Sequence, residues 1–599
     1  MRTREGTAST VDVLGSRRGI LEHAPPPASE ATLRAERAVA ASPRSDARST
    51  LRVSLAVLAG YVLASFVLFG LPVAGRFGSA YVGGPGPDPK LFMWSLAWWP
   101  HALTHGLNPF VTHLVWAPGG YSVAWTTAIP GPSVALAPLT WLAGPVVSYN
   151  VLALLSPSLG AWTAFLLCRR LTRSVWASIA GGWVFGFSSY ELGHLRGQLN
   201  LTLVFLVPLI ALLVVRAADG TVSRRRFVAG MTALLAGQFL ISVEIFASTV
   251  TFAAMALLLA AWMQRGTARA ALLGVGRLGL RSLAYAVVAI SPFLVAMALG
   301  PFPAKHFDPR GGSAALANLV IPTSLTRLSG GPLRGVAEAF SGPLAGQGAY
   351  LGIPLLAVLA AVALRRRGAV WTRFMAVAFG AVVLVSLGPW LEIVRRPVVP
   401  FPWRLAAFVP LVAMELPGRF IVYATLIAAV GVAVWAADRR IGPGVRWGAV
   451  ALIVVSLLPI SASHWVATPR RPAFFTEGLY RTYLPADANV LVIGPGAPGE
   501  PMLWQADAGM GFRMAAGYLG AVPRELETSP IAHAAYHGRF PLDVEALLDF
   551  ARERGVDDLV IGKDAALVED RMAAFGIAPV RVGGVVLYPL SPQAVDALP

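Results

Sequence analysis

One cysteine, Cys168, stands in a chain of 599 residues, so no internal disulfide is available and the extramembrane parts must be held by packing alone. Charge is scarce as well: Asp, Glu, Lys and Arg together make up 13% of the chain. Hydrophobic residues make up 56%, and the mean hydropathy is +0.63. A soluble fold of this length has nowhere to bury that much apolar surface, which leaves a polytopic membrane protein. Lysine is rare, so the net charge of +18 is mostly arginine. In a membrane chain Lys and Arg mark the cytoplasmic side, so the basic balance reads as topology and not as nucleic-acid binding. The Ala/Arg/Gly/Pro-rich, Lys-poor composition fits a GC-rich bacterial genome and points to a multi-pass protein of the bacterial inner membrane.

Residues 1–50 are polar and rich in Arg, Pro, Ser and Ala, with no apolar face. The apolar run that follows begins too late for a signal peptide and no cleavage site follows it, so a disordered cytoplasmic tail is expected. Apolar stretches long enough to span fall near 53–74, 149–168, 175–188, 199–216, 227–243, 246–263, 281–300, 350–364, 371–390, 418–436 and 446–464. Threaded alternately from a cytoplasmic N-terminus, they put Arg169, Arg170, Arg173, Arg224 to Arg226, Arg365 to Arg367, Arg439 and Arg440 inside. The segment "IPGPSVALAPLTWLAGP" (129–145) is also apolar, but counting it would turn these clusters outward, and its prolines break helix. It reads as re-entrant or juxtamembrane. The expected fold is mainly α: a helical bundle of about eleven spans over residues 51–465, with external loops at 75–148 and 301–349.

After about residue 465 the pattern changes. "NVLVIGP", "DDLVIG" and "GVVLYPL" read as short buried strands, and "DVEALLDFARERG" and "ALVEDRMAAFG" as amphipathic helices. Residues 466–599 are therefore expected to form a small extracytoplasmic α/β domain. The glycine-rich "VIGPGAPG" lacks the dinucleotide spacing, and no helix is expected to open behind it.

The stretch "GPDPKLFMWSLAWWPHAL" follows the first span directly. Asp88 before Pro89 suits a helix N-cap, and the Trp-rich helix behind it suits the membrane interface, where indoles anchor. A first span, a long external loop with an early acid, many further spans and a soluble C-terminal region together resemble the GT-C superfamily of integral-membrane glycosyltransferases. "GAYLGIPLL" (348–356) and "ELPGRFIVYATL" (415–426) are weaker echoes. The resemblance implies transfer of a hexosyl or pentosyl group from a polyprenyl-phosphate donor to a hydroxyl of a glycan, lipid or protein. It also implies that an acid of the first external loop acts as general base or helps to hold a divalent cation such as Mg or Mn. Asp88 alone matches that position; the paired acid of some members is missing, and no metal ligands are assigned.

Such a transfer needs a base for the acceptor hydroxyl and cationic or hydrogen-bonding groups for the leaving phosphate. "SSYELGHLRGQLN" (188–200) crowds Glu191, His194, Arg196, Gln198 and Asn200 into a short connection, either a hydrated turn or a phosphate and sugar contact zone. Glu244 lies in an almost continuous apolar stretch, where an unpaired carboxylate costs about 2.5–3.5 kcal/mol, so it is expected either to line the site as a second carboxylate or to mark a helix end. Lys305 and Arg419 are candidate phosphate contacts, with Arg310 and Arg327 as further cations. His101 and His105 share a helix face but lack a third ligand. Trp504 and Gln505 suit core packing better than a saccharide surface.

Two other activities would share a lipid-phosphate substrate: transport or flipping of lipid-linked sugars, and polymerisation or ligation of surface polysaccharide. Transporters generally carry internal repeats and broken helices at mid-membrane, whereas here the polar groups gather on one side. The topology is open to a direct check. Asp88→Cys is expected to react with a membrane-impermeant thiol reagent from the outer side. Reaction from the cytoplasmic side alone would overturn the threading.

Overall fold

Each stretch expected to span folds as helix, because a run of apolar residues in lipid leaves the backbone no partner but itself. The computed structural model describes residues 43–301, 312–340, 342–393, 396–401, 403–406, 415–494, 496, 498–541, 543–562, 566–596 and 598. The chain divides into two compact units, residues 1–55 and 56–599. Of the first, only the helical stretch from Pro43 is described; the expected tail at 1–42 lies outside the described residues. All that follows belongs to the second unit.

Six helices among the described residues are long and apolar enough to cross a membrane: Ser49–Arg76, Pro145–Thr172, Leu199–Ala218, Val243–Met263, Gly266–Ala289 and Pro417–Ala437. Four shorter apolar helices accompany them, Val175–Gly186, Ile353–Arg365, Val370–Ser386 and Pro443–Ser456. The stretch expected at 227–243 is the helix Arg224–Ile241. The ambiguous segment breaks into Pro130–Ala135 and Ala137–Ala143. Helices of 6 and 7 residues rise only about 10 Å, a third of a bilayer's hydrocarbon core, so neither crosses it.

Ile421–Ala437 is buried almost all round and packs against Val175–Gly186 and Pro145–Thr172. Small residues make this approach possible. A Cβ on Gly182 would fall 2.5 Å from the Ala161 carbonyl, and one on Gly181 2.8 Å from the Ala429 carbonyl. At the periphery, Trp262 (79% exposed), Leu299 (83%) and Leu280 (69%) face outward. In water each such side chain would forgo about 1.5–3 kcal/mol of burial; facing lipid, none does.

The Trp-rich helix Asp88–Thr104 departs from its expected place in the interface plane. Trp94, Trp98 and Trp99 are buried in one core with Trp116, Val490, Met502, Trp504 and Leu559. That core therefore runs across the expected boundary at 465/466. The first loop also reaches the sheet by backbone: Ala117 N donates to Met514 O and Met514 N to Leu114 O.

The sheet has five strands, in the order Val580–Val582, Val585–Pro589, Asp558–Gly562, Asn489–Ile493, Arg513–Met514. The last three run parallel and the first two form an antiparallel hairpin. Its two-residue turn, Gly583–Gly584, has φ of 53° and 86°, which glycine alone adopts freely at both places. The strands and the helices Val544–Arg554 and Ala566–Ala573 lie where the sequence pattern puts them. The glycine-rich turn does not follow expectation, since Glu500–Asp507 opens a helix directly behind Gly499. An acid and a proline in its first turn start it, and Glu500 places a carboxylate where a phosphate would have to sit.

Asp558 begins a central strand fully buried, with both carboxylate oxygens lacking a hydrogen-bond partner. Burial, and then the charge of Asp557, push its carboxyl up to about 7. A carboxyl raised above its unfolded value lends stability that is complete below about pH 4 and drains away as pH rises through about 7. Asp558→Asn is expected to flatten that part of the pH dependence of thermal unfolding and to raise Tm at pH 8. An unchanged profile would show that Asp558 does not titrate in the fold.

Candidate active site

Asp88 sits one residue further into its helix than a cap would. Pro87 holds the N-cap position without a side-chain cap bond, and Asp88 opens the first turn. Freed from capping, the carboxylate Oδ1 accepts a hydrogen bond from the Tyr518 hydroxyl at 3.0 Å. Burial, and next the Asp88 charge, push the Tyr518 phenol well above its ordinary range, so it stays a donor. The field of Asp88 also reaches Tyr149, Tyr536 and Arg419.

The turn before Asp88 is pinned from two sides. Gly83 N donates to Trp465 O at 3.0 Å, and Gly84 N to Arg196 O at 2.8 Å. A Cβ on Gly84 would lie 2.8 Å from the Arg196 guanidinium, and one on Gly197 3.2 Å from Pro89. The segment 188–200 thus abuts the Asp88 turn. It is not a hydrated turn but carries the buried helix Ser189–Leu195, capped by Ser188.

Within it, Glu191 is 2% exposed and accepts from Ser156 Oγ at 3.0 Å. Burial raises its carboxyl well above the usual range, against the pull of that hydroxyl. His194 is equally buried, with Nδ1 2.8 Å from Tyr190 O and its ring 4.3 Å from that of Tyr190. Burial lowers it to about 3, so it is a neutral imidazole at physiological pH and not a cation for phosphate. Arg196 is part-exposed, donates to His464 O at 3.3 Å and lies over Trp465. Gln198 is half-buried at the start of the next helical turn, and Asn200 is buried within it.

Arg419 links these groups to the membrane helices. It stands in the turn Pro417–Phe420 at the head of the buried helix, and its Nη1 forms an ion pair with Glu244 Oε1. Glu244 lies in the first turn of Val243–Met263. One turn along the same two helices, the Tyr423 hydroxyl meets Ser248 Oγ at 2.8 Å and Thr249 Oγ1 at 2.9 Å. Arg419 is within coulombic reach of Asp88, Tyr190 and His194. Its turn rests on the second loop, where Gly418 N donates to Gly312 O at 2.7 Å. Gly348 of the same loop lies so close that a Cβ would meet the Tyr190 backbone at 2.8 Å.

Glu415, not singled out from the sequence, belongs to this neighbourhood, and burial pushes it up to about 8. Its signal was an acid four residues before Arg419 at the mouth of a span. Lys305 and Arg310 lie outside the described residues. Arg327 holds the Pro459 carbonyl. His101 and His105 stack on each other at the far end of the Trp-rich helix. Trp504 is buried against Phe475, and Gln505 accepts from Trp94 Nε1 while donating to the Leu114 and Phe512 carbonyls. Both are core residues.

Among the described residues no three His, Cys, Asp or Glu side chains come together as a ligand set. The cation in the field of Asp88 is an arginine, which opposes a second positive charge beside it. These residues do not fit a Mg or Mn ion, and no step is drawn through one.

No family model and no curated protein matches the chain. Among solved structures it is similar to ArnT from Cupriavidus metallidurans bound to undecaprenyl phosphate (TM-score 0.46, 13% identity, 91% of this chain and 99% of that one). It is also similar to the archaeal oligosaccharyltransferase AglB from Archaeoglobus fulgidus in complex with an inhibitory peptide and a dolichol-phosphate (TM-score 0.43, 13% identity, 90% and 74%). At this level of likeness the chemistry has to be read from the residues themselves.

The Arg419–Glu244 pair makes a prediction about stability. Removing one partner leaves a charge uncompensated at membrane depth, and Glu244→Gln or Arg419→Met alone is expected to cost about 3–5 kcal/mol. The double variant Glu244→Met/Arg419→Met is expected to recover most of this, as read by thermal unfolding in detergent. Additive losses would mean that the pair does not couple.

Proposed function

We propose that the chain is a membrane glycosyltransferase that moves a hexosyl or pentosyl group from a polyprenyl-phosphate donor to an acceptor hydroxyl of a glycan, lipid or protein. The observation that carries this reading is a carboxylate in the field of an arginine, where the helical bundle meets the five-stranded sheet. The site then opens on the external face of the bacterial inner membrane, with the N-terminus cytoplasmic and the sheet outside.

In this reading the acceptor oxygen attacks the anomeric carbon and gives its proton to Asp88. The bond from that carbon to the phosphate oxygen breaks, its electron pair stays on oxygen, and polyprenyl phosphate leaves. Arg419 offsets the charge that develops on the departing phosphate. Guanidinium has five N–H donors in a fixed fork, so a contact to Glu244 through Nη1 is compatible with a second acceptor. Asp88 afterwards returns its proton to water. The apolar helix faces keep the lipid tail in the bilayer while the acceptor arrives from water.

The test is Asp88→Asn in purified protein, with a panel of polyprenyl-phosphate hexoses and pentoses and release of polyprenyl phosphate as the readout. Turnover is expected to fall by about 10²–10⁴-fold, the range of a lost general base, with unfolding unchanged. Undiminished turnover would remove Asp88 from the chemistry.

A further inference from the structure

Tyr518 lies 430 positions from Asp88 in the chain, yet its hydroxyl is the donor to that carboxylate. Three features hold the tyrosine in place. Its ring stacks on Tyr536, with centroids 5.0 Å apart and planes 27° from parallel. Its backbone N–H points at Met502 Sδ, 3.3 Å away. The preceding Gly517 passes so close to Val115 that a Cβ would lie 2.4 Å from its side chain. Tyr518 is therefore seated in the packing between the sheet region and the first loop.

The element beside it is clamped to the helix that carries Asp88. Trp94 Nε1 donates to Gln505 Oε1 at 2.8 Å, both groups being buried. Gly499, at the start of Glu500–Asp507, touches Pro87, where a Cβ would come within 2.8 Å of its Cα. Donor and acceptor thus sit on two bodies locked one turn away from the hydrogen bond itself.

We infer that Tyr518 is a positioning residue for the transfer, its hydroxyl orienting the Asp88 carboxylate toward the acceptor. This rests on the reading of Asp88 as the base. A carboxylate on the first turn of a helix turns about two side-chain bonds, and a single donor at 3.0 Å selects one orientation. A base misplaced by 1 Å can lose as much as 10²-fold in rate, so the sheet region becomes part of the catalytic centre without touching substrate.

Tyr518→Phe removes the hydroxyl and keeps the ring on Tyr536, so the fold is expected to persist, as thermal unfolding checks. With the best donor of the polyprenyl-phosphate sugar panel, kcat is expected to fall about 10-fold while KM for donor and acceptor stays within about 2-fold, the pattern of an interaction expressed in the transition state. Asp88→Asn is measured alongside. Turnover lost in Asp88→Asn but kept within about 2-fold in Tyr518→Phe would overturn the positioning role and leave the base standing. Turnover kept in Asp88→Asn would overturn the base, and this inference with it. A rise in KM alone in Tyr518→Phe would make Tyr518 a binding contact and also overturn the inference.

Discussion

The geometry around Asp88 depends on one buried hydrogen bond, from Trp94 to Gln505. Tryptophan brings a large apolar face and one N–H that cannot be left unpartnered in a core. Gln505 meets that N–H with its oxygen and spends its amide on the Leu114 and Phe512 carbonyls. Three segments far apart in the chain, Asp88–Thr104, the loop around Leu114 and Glu500–Asp507, are thereby held at one point. The apolar core that surrounds it is indifferent to orientation; this polar bond is not, and it sets the register in which the helix start faces the sheet region.

A second constraint acts at membrane depth. Arg419 and Glu244 would each be expensive alone in an apolar bundle, and their pairing makes both tolerable. The pair and the Tyr423–Ser248–Thr249 cluster lie one turn apart between the same two helices, so polar contacts align them where apolar packing alone would let them slide. Arg419 therefore has two attachments: a structural one to Glu244 and a field shared with Asp88. Glu244 is better described as the partner that keeps Arg419 charged and placed than as a second acid of the reaction.

The sequence makes the helices and strands legible because their signals are local: apolar length for a span, a short apolar run between turn residues for a strand. Its failures share a physical cause. The tryptophans of 94–99 read as interface anchors since nothing nearby in the chain announces the sheet that buries them. Glu500–Asp507 hides because Gly and Pro flank it, and those residues signal turns as readily as helix starts. The polar run 188–200 looks like a wet connection; its burial depends on Gly348 and the Asp88 turn, which close over it from elsewhere. Asp88 and Arg419 were visible as candidates, but Tyr518 was not, since no local pattern links a tyrosine to an acid 430 positions away.

Several acids gather near this end of the bundle, yet the environment divides them. Burial drives Glu191 and Glu415 toward their neutral forms, and Glu244 is matched by Arg419. Acids held neutral can accept and donate hydrogen bonds to hydroxyl-rich ligands without repelling a phosphate, whereas an unpaired cluster of carboxylates would exclude one. His194, neutral as well, adds no charge of either sign. Asp88 differs from these acids in having both a hydroxyl donor at its oxygen and a cation in its field. A polar neighbourhood that presents so little net charge can receive a phosphate diester and still keep one carboxylate for the proton of the incoming hydroxyl. In such a site selectivity for the reacting atoms comes from where Tyr518 and Arg419 hold their partners, not from the number of charges present.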